Sequence, residues 1–119
     1  MAEHNDLGRR GEELAVDYLK SSGYQILERN YRYGRIEVDI IAQIDSTLAV
    51  IEVKTRSSDV FGSPKEFIKS NQISNLTLAI NDYVVRNELE VEVRFDIIAI
   101  VYSKNESKLE HLKDAFYHF

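Results

Sequence analysis

A stretch of helical periodicity, from about Lys65 to Arg86, lies between two segments rich in β-branched residues, Leu48–Thr55 and Val91–Tyr102. This arrangement constrains the fold more than any other feature of the chain. Antiparallel strands can be joined by a tight turn, whereas a helix-length connection makes its flanking strands parallel neighbours in one sheet. Phe67, Ile68, Ile73, Leu76, Leu78, Ala79, Ile80 and Tyr83 give the connecting helix a broad apolar face with which to cover that sheet.

The segments before it extend the same sheet. Ile36–Gln43 and Leu48–Thr55 are joined by Ile44-Asp45-Ser46-Thr47, a connection suited to a hairpin. A strand is expected at about Tyr24–Tyr31, and Tyr33-Gly34 marks the turn after it. Ahead of these, Asn5 or Asp6 is the expected cap of a helix running to about Ser21. Its apolar stripe is Leu7, Gly11, Leu14, Ala15, Tyr18 and Leu19, and Gly23 follows as a left-handed terminator. A last strand and short helix are expected within Lys108–Phe119. The order is α-β-β-β-α-β-β: an α/β chain with a mixed sheet of four or five strands flanked by helices, read as one domain over residues 1–119.

Composition narrows the chemistry. There are no cysteines, which excludes disulfides, thiolate metal sites and cysteine nucleophiles. Met1–Arg10 is polar and lacks an apolar signal-peptide core, so a cytoplasmic location is expected. The net charge of -5 argues against a protein that coats nucleic acid non-specifically. The charge is uneven, however. Residues 1–28 hold three bases and six acids, residues 70–119 hold five and eight, and residues 29–69 hold seven and six. The middle third is the place to seek a polyanion contact.

The hairpin carries the chemistry. Centred between Asp45 and Ser46, it places Asp39 opposite Glu52 and Glu37 opposite Lys54, all on one face. The other face, Ile36, Val38, Ile40 and Ala42 against Ala49, Ile51, Val53 and Thr55, reads as core. Two carboxylates across a strand pair repel, and the repulsion grows on burial. A hard divalent cation offsets it, and Mg²⁺ commonly takes one or two carboxylates plus water. The same face pattern also suits the solvent side of a half-exposed sheet, and spacing alone leaves both readings open.

Asp39, then Glu52-x-Lys54, between a first helix and a crossover helix, resembles the PD-(D/E)xK nuclease superfamily. Gly8-Arg9-Arg10-Gly11-Glu12, Arg29-Asn30-Tyr31-Arg32, Glu37-x-Asp39-Ile40-Ile41-Ala42, Val50–Arg56, Phe61-Gly62 and Arg94-Phe95-Asp96 together resemble the YraN-type family of small bacterial proteins. The resemblance implies a restriction endonuclease-like, Holliday-junction-resolvase-like fold. It also implies Mg²⁺- or Mn²⁺-dependent hydrolysis of DNA, branched or structured DNA included. Asp39 and Glu52 would hold the metal, with the Val53 carbonyl as a further ligand. Lys54 would assist the attacking water. Glu12 matches a first-helix glutamate that reaches the metal or its water; beside Glu13 and off the apolar stripe, it reads equally as a surface acid. By analogy with resolvases, a homodimer is implied. Two other functions remain open: a non-catalytic nucleic-acid-binding module that kept the fold, and a protein-interaction domain.

Two departures from the pattern stand out. Val38, not proline, precedes Asp39. The family's lysine early in the second helix is missing near Asn71-Gln72, and Lys69 lies too far round the helix to replace it. Gln72 retains a polar group there. Arg32, Arg35, Arg56 and Lys65 flank the site as candidate phosphate contacts. Mid-helix Gly8 and Gly11 each cost about 1 kcal/mol against alanine, which a close approach to the helix would explain. Asp96, in an apolar strand, is expected to pair with Arg94 or a loop amide. His4, His111 and His118 have no ligand spacing and read as incidental. Phe116, Tyr117 and Phe119 are candidates to cap the core or meet a second copy.

Overall fold

A computed structural model describes residues 2–57, 70–103 and 106–115. Helix α1 spans Ala2–Ser21, β1 Gln25–Tyr33, β2 Ile36–Ile44, β3 Thr47–Ser57, α2 Ser70–Arg86, β4 Glu92–Ser103 and β5 Glu106–Leu112. The order is the expected α-β-β-β-α-β-β, and it forms one five-stranded mixed sheet in the order β1-β2-β3-β4-β5. This architecture is consistent with a restriction endonuclease-like fold. Strands β3 and β4 are parallel from Thr47↔Glu92 to Ser57↔Tyr102, as the crossover requires. The other neighbouring pairs are antiparallel. None of the described helices is long and apolar enough to cross a membrane.

Each face of the sheet is covered by one helix. Ala15, Val16 and Leu19 of α1 pack with Tyr24, Ile40, Ala42, Ala49, Ile51, Ile98 and Ile100. Leu76, Ala79, Ile80 and Tyr83 of α2 pack with Val38, Ile41, Leu48, Val50 and Ile97. Strands buried on both faces read as continuous apolar runs, and Ile97-Ile98-Ala99-Ile100 is such a run.

Several local expectations need correction. Helix α1 begins at Ala2, ahead of the expected cap, because nothing in residues 2–6 interrupts a helix. Leu14 is 37% exposed, and Val16 is buried. The reason is the line Gly11–Ala15–Leu19, one helical turn apart, which faces the sheet and leaves Leu14 beside it. The start expected for the second helix, Lys65, lies outside the described residues, as do Phe61-Gly62 and the four C-terminal residues, Phe116, Tyr117 and Phe119 among them. Gly23 has the expected left-handed backbone, φ 97°, and closes α1.

The strict alternation assumed for β2 also fails. Ile36 and Val38 belong to the α2 layer, whereas Ile40 and Ala42 belong to the α1 layer. The pleat therefore shifts at Asp39. On β1 it shifts at Asn30, whose φ of 53° is left-handed and which lies between the pairs Arg29↔Ile40 and Tyr31↔Val38. Asparagine tolerates that backbone better than most residues. The irregularity falls at Asp39, the candidate metal carboxylate of the sequence.

Candidate metal and phosphate site

The β2–β3 ladder follows the expected register from Ile44↔Thr47 to Ile40↔Ile51 and stops there. The next pair would be Asp39 and Glu52. Instead, the Val53 N–H donates to Asp39 Oδ2 at 2.9 Å. A carboxylate occupies the place of a ladder acceptor, and the two strands part around it.

The acids reach this gap from different sides, not from one face. Glu52 comes from the face covered by α2, where the Gln72 amide donates to its Oε2 at 2.9 Å. Glu12 comes from α1 on the other face and lines a cleft of about 310 Å³ with Gly8, Asp39, Val53, Lys54, Thr55 and Arg56. The cleft exists because α1 lies close to β3. A Cβ on Gly11 would meet Thr55 Oγ1 at 2.2 Å, so only glycine permits this approach. Gly8, by contrast, faces open space at the cleft.

Glu52 is 5% exposed. Its Oε2 is bonded to Gln72 and lies 3.9 Å from Lys54 Nζ, while its Oε1 is buried without a partner. Burial, then the Asp39 charge, pushes its pKa up to about 8. Asp39 is raised by burial as well, against the opposing bond from Val53. Glu12 is raised by burial and by Asp39, and its Oε1 is also buried and unpartnered. Glu37 adds repulsion to all three.

The orphaned Oε1 of Glu52 is the test of whether a metal suits these residues. A buried carboxylate oxygen without a donor costs about 1–3 kcal/mol or more. A cation beside Glu52 and Asp39 would remove both that cost and their repulsion, and oxygen donors suit a hard ion such as Mg²⁺. Among the described residues, no three Asp, Glu or His side chains already surround one point closely enough to hold an ion. Two carboxylates, Asp39 and Glu52, are thus the side chains that would hold such an ion.

The remaining expected residues divide. Arg56 lines the cleft, with its Nη1 donating to the Thr55 carbonyl at 2.8 Å. The Glu37–Lys54 cross-strand pair does not form, because the ladder ends before it. Glu37 instead lies 3.4 Å from Arg32, and that ion pair is at the surface. Arg35 is exposed at the β1–β2 turn, away from the cleft lining. Lys65 lies outside the described residues.

His111, expected to be incidental, is part of a buried polar network. Asp96 is fully buried and accepts Arg94 Nε at 2.9 Å, Arg94 Nη2 at 2.8 Å and the Asp114 N–H at 3.0 Å, as expected for a structural pair with a loop amide added. His111 Nε2 lies 2.8 Å from Asp96 and its Nδ1 2.9 Å from the Tyr18 hydroxyl. Burial pushes the Asp96 carboxyl up, but the bonds from His111, Arg94 and Asp114 outweigh it and hold the group below its usual range. No local motif marks His111; only the pairing Ile98↔His111 of the last two strands brings it there.

With this geometry in place, comparison with known proteins decides the family. A match to "Uncharacterised protein family UPF0102" covers residues 11–100. The chain belongs to UPF0102. This bears out the YraN-type resemblance of the sequence motifs. A UPF0102 protein of Christiangramia forsetii is 58% identical over 119 residues, covering all of both chains. One of Flavobacterium psychrophilum is 54% identical, again end to end. One of Bacteroides thetaiotaomicron is 42% identical over 98% of this chain and 97% of its own. The UPF0102 match takes in Glu12, Asp39, Glu52, Lys54, Thr55, Arg56 and Gln72.

Proposed function

We propose that this UPF0102 protein is a Mg²⁺- or Mn²⁺-dependent endonuclease that hydrolyses phosphodiester bonds in DNA, with branched or structured DNA as its substrate class. One observation carries the reading: the buried, half-partnered Glu52 beside Asp39 and Lys54, at the point where β2 and β3 part. A carboxylate pair of this kind is costly as a purely structural feature. A cation would relieve that cost, with Asp39 lining the cleft and Glu52 buried behind it.

Asp39 and Glu52 would hold the ion, with the Val53 carbonyl as a further ligand. When bound, the ion supplies Lewis acidity at the phosphoryl oxygen and lowers the pKa of an attacking water. Lys54 Nζ, in the cleft wall, stabilises negative charge developing on the phosphate or on that water. Asp39 is held in place by the Val53 N–H, so it has little freedom to collapse onto Lys54. Glu12 shares the cleft with Asp39 from α1 and would hold a water of the ion or orient the attacking water. Arg56, in the cleft lining, would meet a flanking phosphate. The cleft is small, so the grip on DNA is local and depends on the ion.

The test is cleavage of labelled single-stranded, duplex and four-way DNA of one sequence in Mg²⁺ or Mn²⁺. The expected result is metal-dependent cutting, strongest on the branched substrate, and lost in Asp39→Asn. Metal-independent cutting, or an equally active Asp39→Asn, overturns the assignment. Salt-sensitive DNA binding without cutting would instead identify a non-catalytic binding module.

A further inference from the structure

The metal carboxylate Glu52 is held from behind by the second helix. Gln72 lies within the first turn of α2, and its Nε2 donates to Glu52 Oε2 at 2.9 Å. Glu52 has two oxygens in unlike states: Oε2 is engaged by Gln72, with Lys54 Nζ at 3.9 Å, and Oε1 is buried with no partner. A carboxylate free to rotate would share one donor between both oxygens. One that is pinned through Oε2 must keep Oε1 turned away from Gln72.

We infer that Gln72 is a positioning residue, which fixes Glu52 through Oε2 and thereby reserves Oε1 for a divalent cation. This rests on the metal-site reading above and extends it to a residue on another element. Neutral chemistry matters here. An amide donates to the carboxylate without adding a positive charge, so it orients the ligand without competing with the cation. Lys54, the nearest base, is 3.9 Å away, long for a hydrogen bond, and leaves that orienting role to Gln72. Removing an outer partner of a metal ligand typically weakens metal affinity by about 10–100-fold.

Mn²⁺ binding to the full chain separates this inference from its parent. Titration calorimetry would use the wild type, Gln72→Met, which keeps length and loses the donor, and Gln72→Leu, with Asp39→Asn as the control that removes the site. The expected result is one wild-type Mn²⁺ site, lost in Asp39→Asn and weakened about 10–100-fold in both Gln72 variants. Melting curves in EDTA show whether each variant is folded; a merely structural role would change those curves and leave the Mn²⁺ affinity of the folded protein unmoved. A wild type that binds no Mn²⁺ overturns the metal site itself. A wild type that binds, with folded Gln72 variants binding equally well, overturns only the role of Gln72. A second measurement needs no variant. In the wild type, Mn²⁺ should slow hydrogen exchange of the backbone amides of residues 73–76; unchanged exchange at saturating Mn²⁺ counts against the coupling.

Discussion

Glu52 and Asp96 are both carboxylates buried within the sheet, and they have opposite fates. Asp96 is met by a guanidinium, an imidazole and a backbone N–H and is held ionised. Glu52 meets one amide and a neighbouring acid and is pushed up to about 8. Their substitutions should therefore diverge. Asp96→Ala leaves Arg94 and His111 without their buried partner and should cost about 3–5 kcal/mol in chemical denaturation. The pH dependence diverges too. Between the ordinary glutamate value of 4.5 and about 8, folded Glu52 keeps a proton that the unfolded chain has lost. The folded state then binds more protons, so metal-free stability falls as pH rises through that window, by at most about 5 kcal/mol for this group. Asp96 acts the other way: its contribution is present above the ordinary aspartate value of 3.8 and disappears as pH falls through its lowered folded value. Urea midpoints in EDTA at pH 5.5 and 8.5 check the first limb. In Glu52→Gln the fall between those two values should be much smaller than in the wild type.

Among the elements, α1 and the β2–β3 pair make the cleft by close approach and by separation. The two helix glycines test the first part. Gly11→Ala puts a methyl where Thr55 Oγ1 stands, at 2.2 Å, so its gain of about 1 kcal/mol in helix propensity should be overwhelmed and the melting temperature should fall. Adding Thr55→Ala should recover most of that loss. Gly8→Ala meets nothing within 4 Å and should be neutral or stabilising by up to about 1 kcal/mol. The separation of β2 from β3 was legible in sequence only as chemistry. Periodicity called for Asp39 opposite Glu52 on an unbroken face, and the register as far as Ile40↔Ile51 agrees. The break at Asp39 could not be read, because it depends on a left-handed Asn30 on the neighbouring strand and on an amide of β3. Both are non-local. His111 escaped notice for the same reason: its role arises from pairing with a strand that lies elsewhere in the chain.

Across the whole molecule, fold and family were the most legible. A helix-length connection between two apolar strands dictates their parallel pairing, and the strand order follows. The proposed function class rests on the motif blocks, since a net charge of -5 points away from DNA. The structure changes the meaning of that charge. Asp39 and Glu37 raise both Glu12, on the cleft side, and Glu52, buried behind Asp39, so the proposed divalent cation would relieve the local repulsion. Mn²⁺ or Mg²⁺ should therefore raise the melting temperature most at pH 8 and above, where Glu52 loses its proton, and least near pH 5; Asp39→Asn should lose the effect. Differential scanning calorimetry at both values checks this.

The central claim is that this cleft hydrolyses phosphodiesters with a bound cation. Its most direct measurement is the single-turnover cleavage rate of a labelled four-way DNA junction, with enzyme in excess, in Mg²⁺ and in EDTA, for the wild type, Glu52→Gln and Lys54→Ala. The account predicts cutting in Mg²⁺ alone, none by Glu52→Gln, and a rate about 10²–10³-fold lower for Lys54→Ala. A wild type that leaves the junction intact in Mg²⁺ and Mn²⁺ while binding it, or a Glu52→Gln protein that cuts at the wild-type rate, would contradict it.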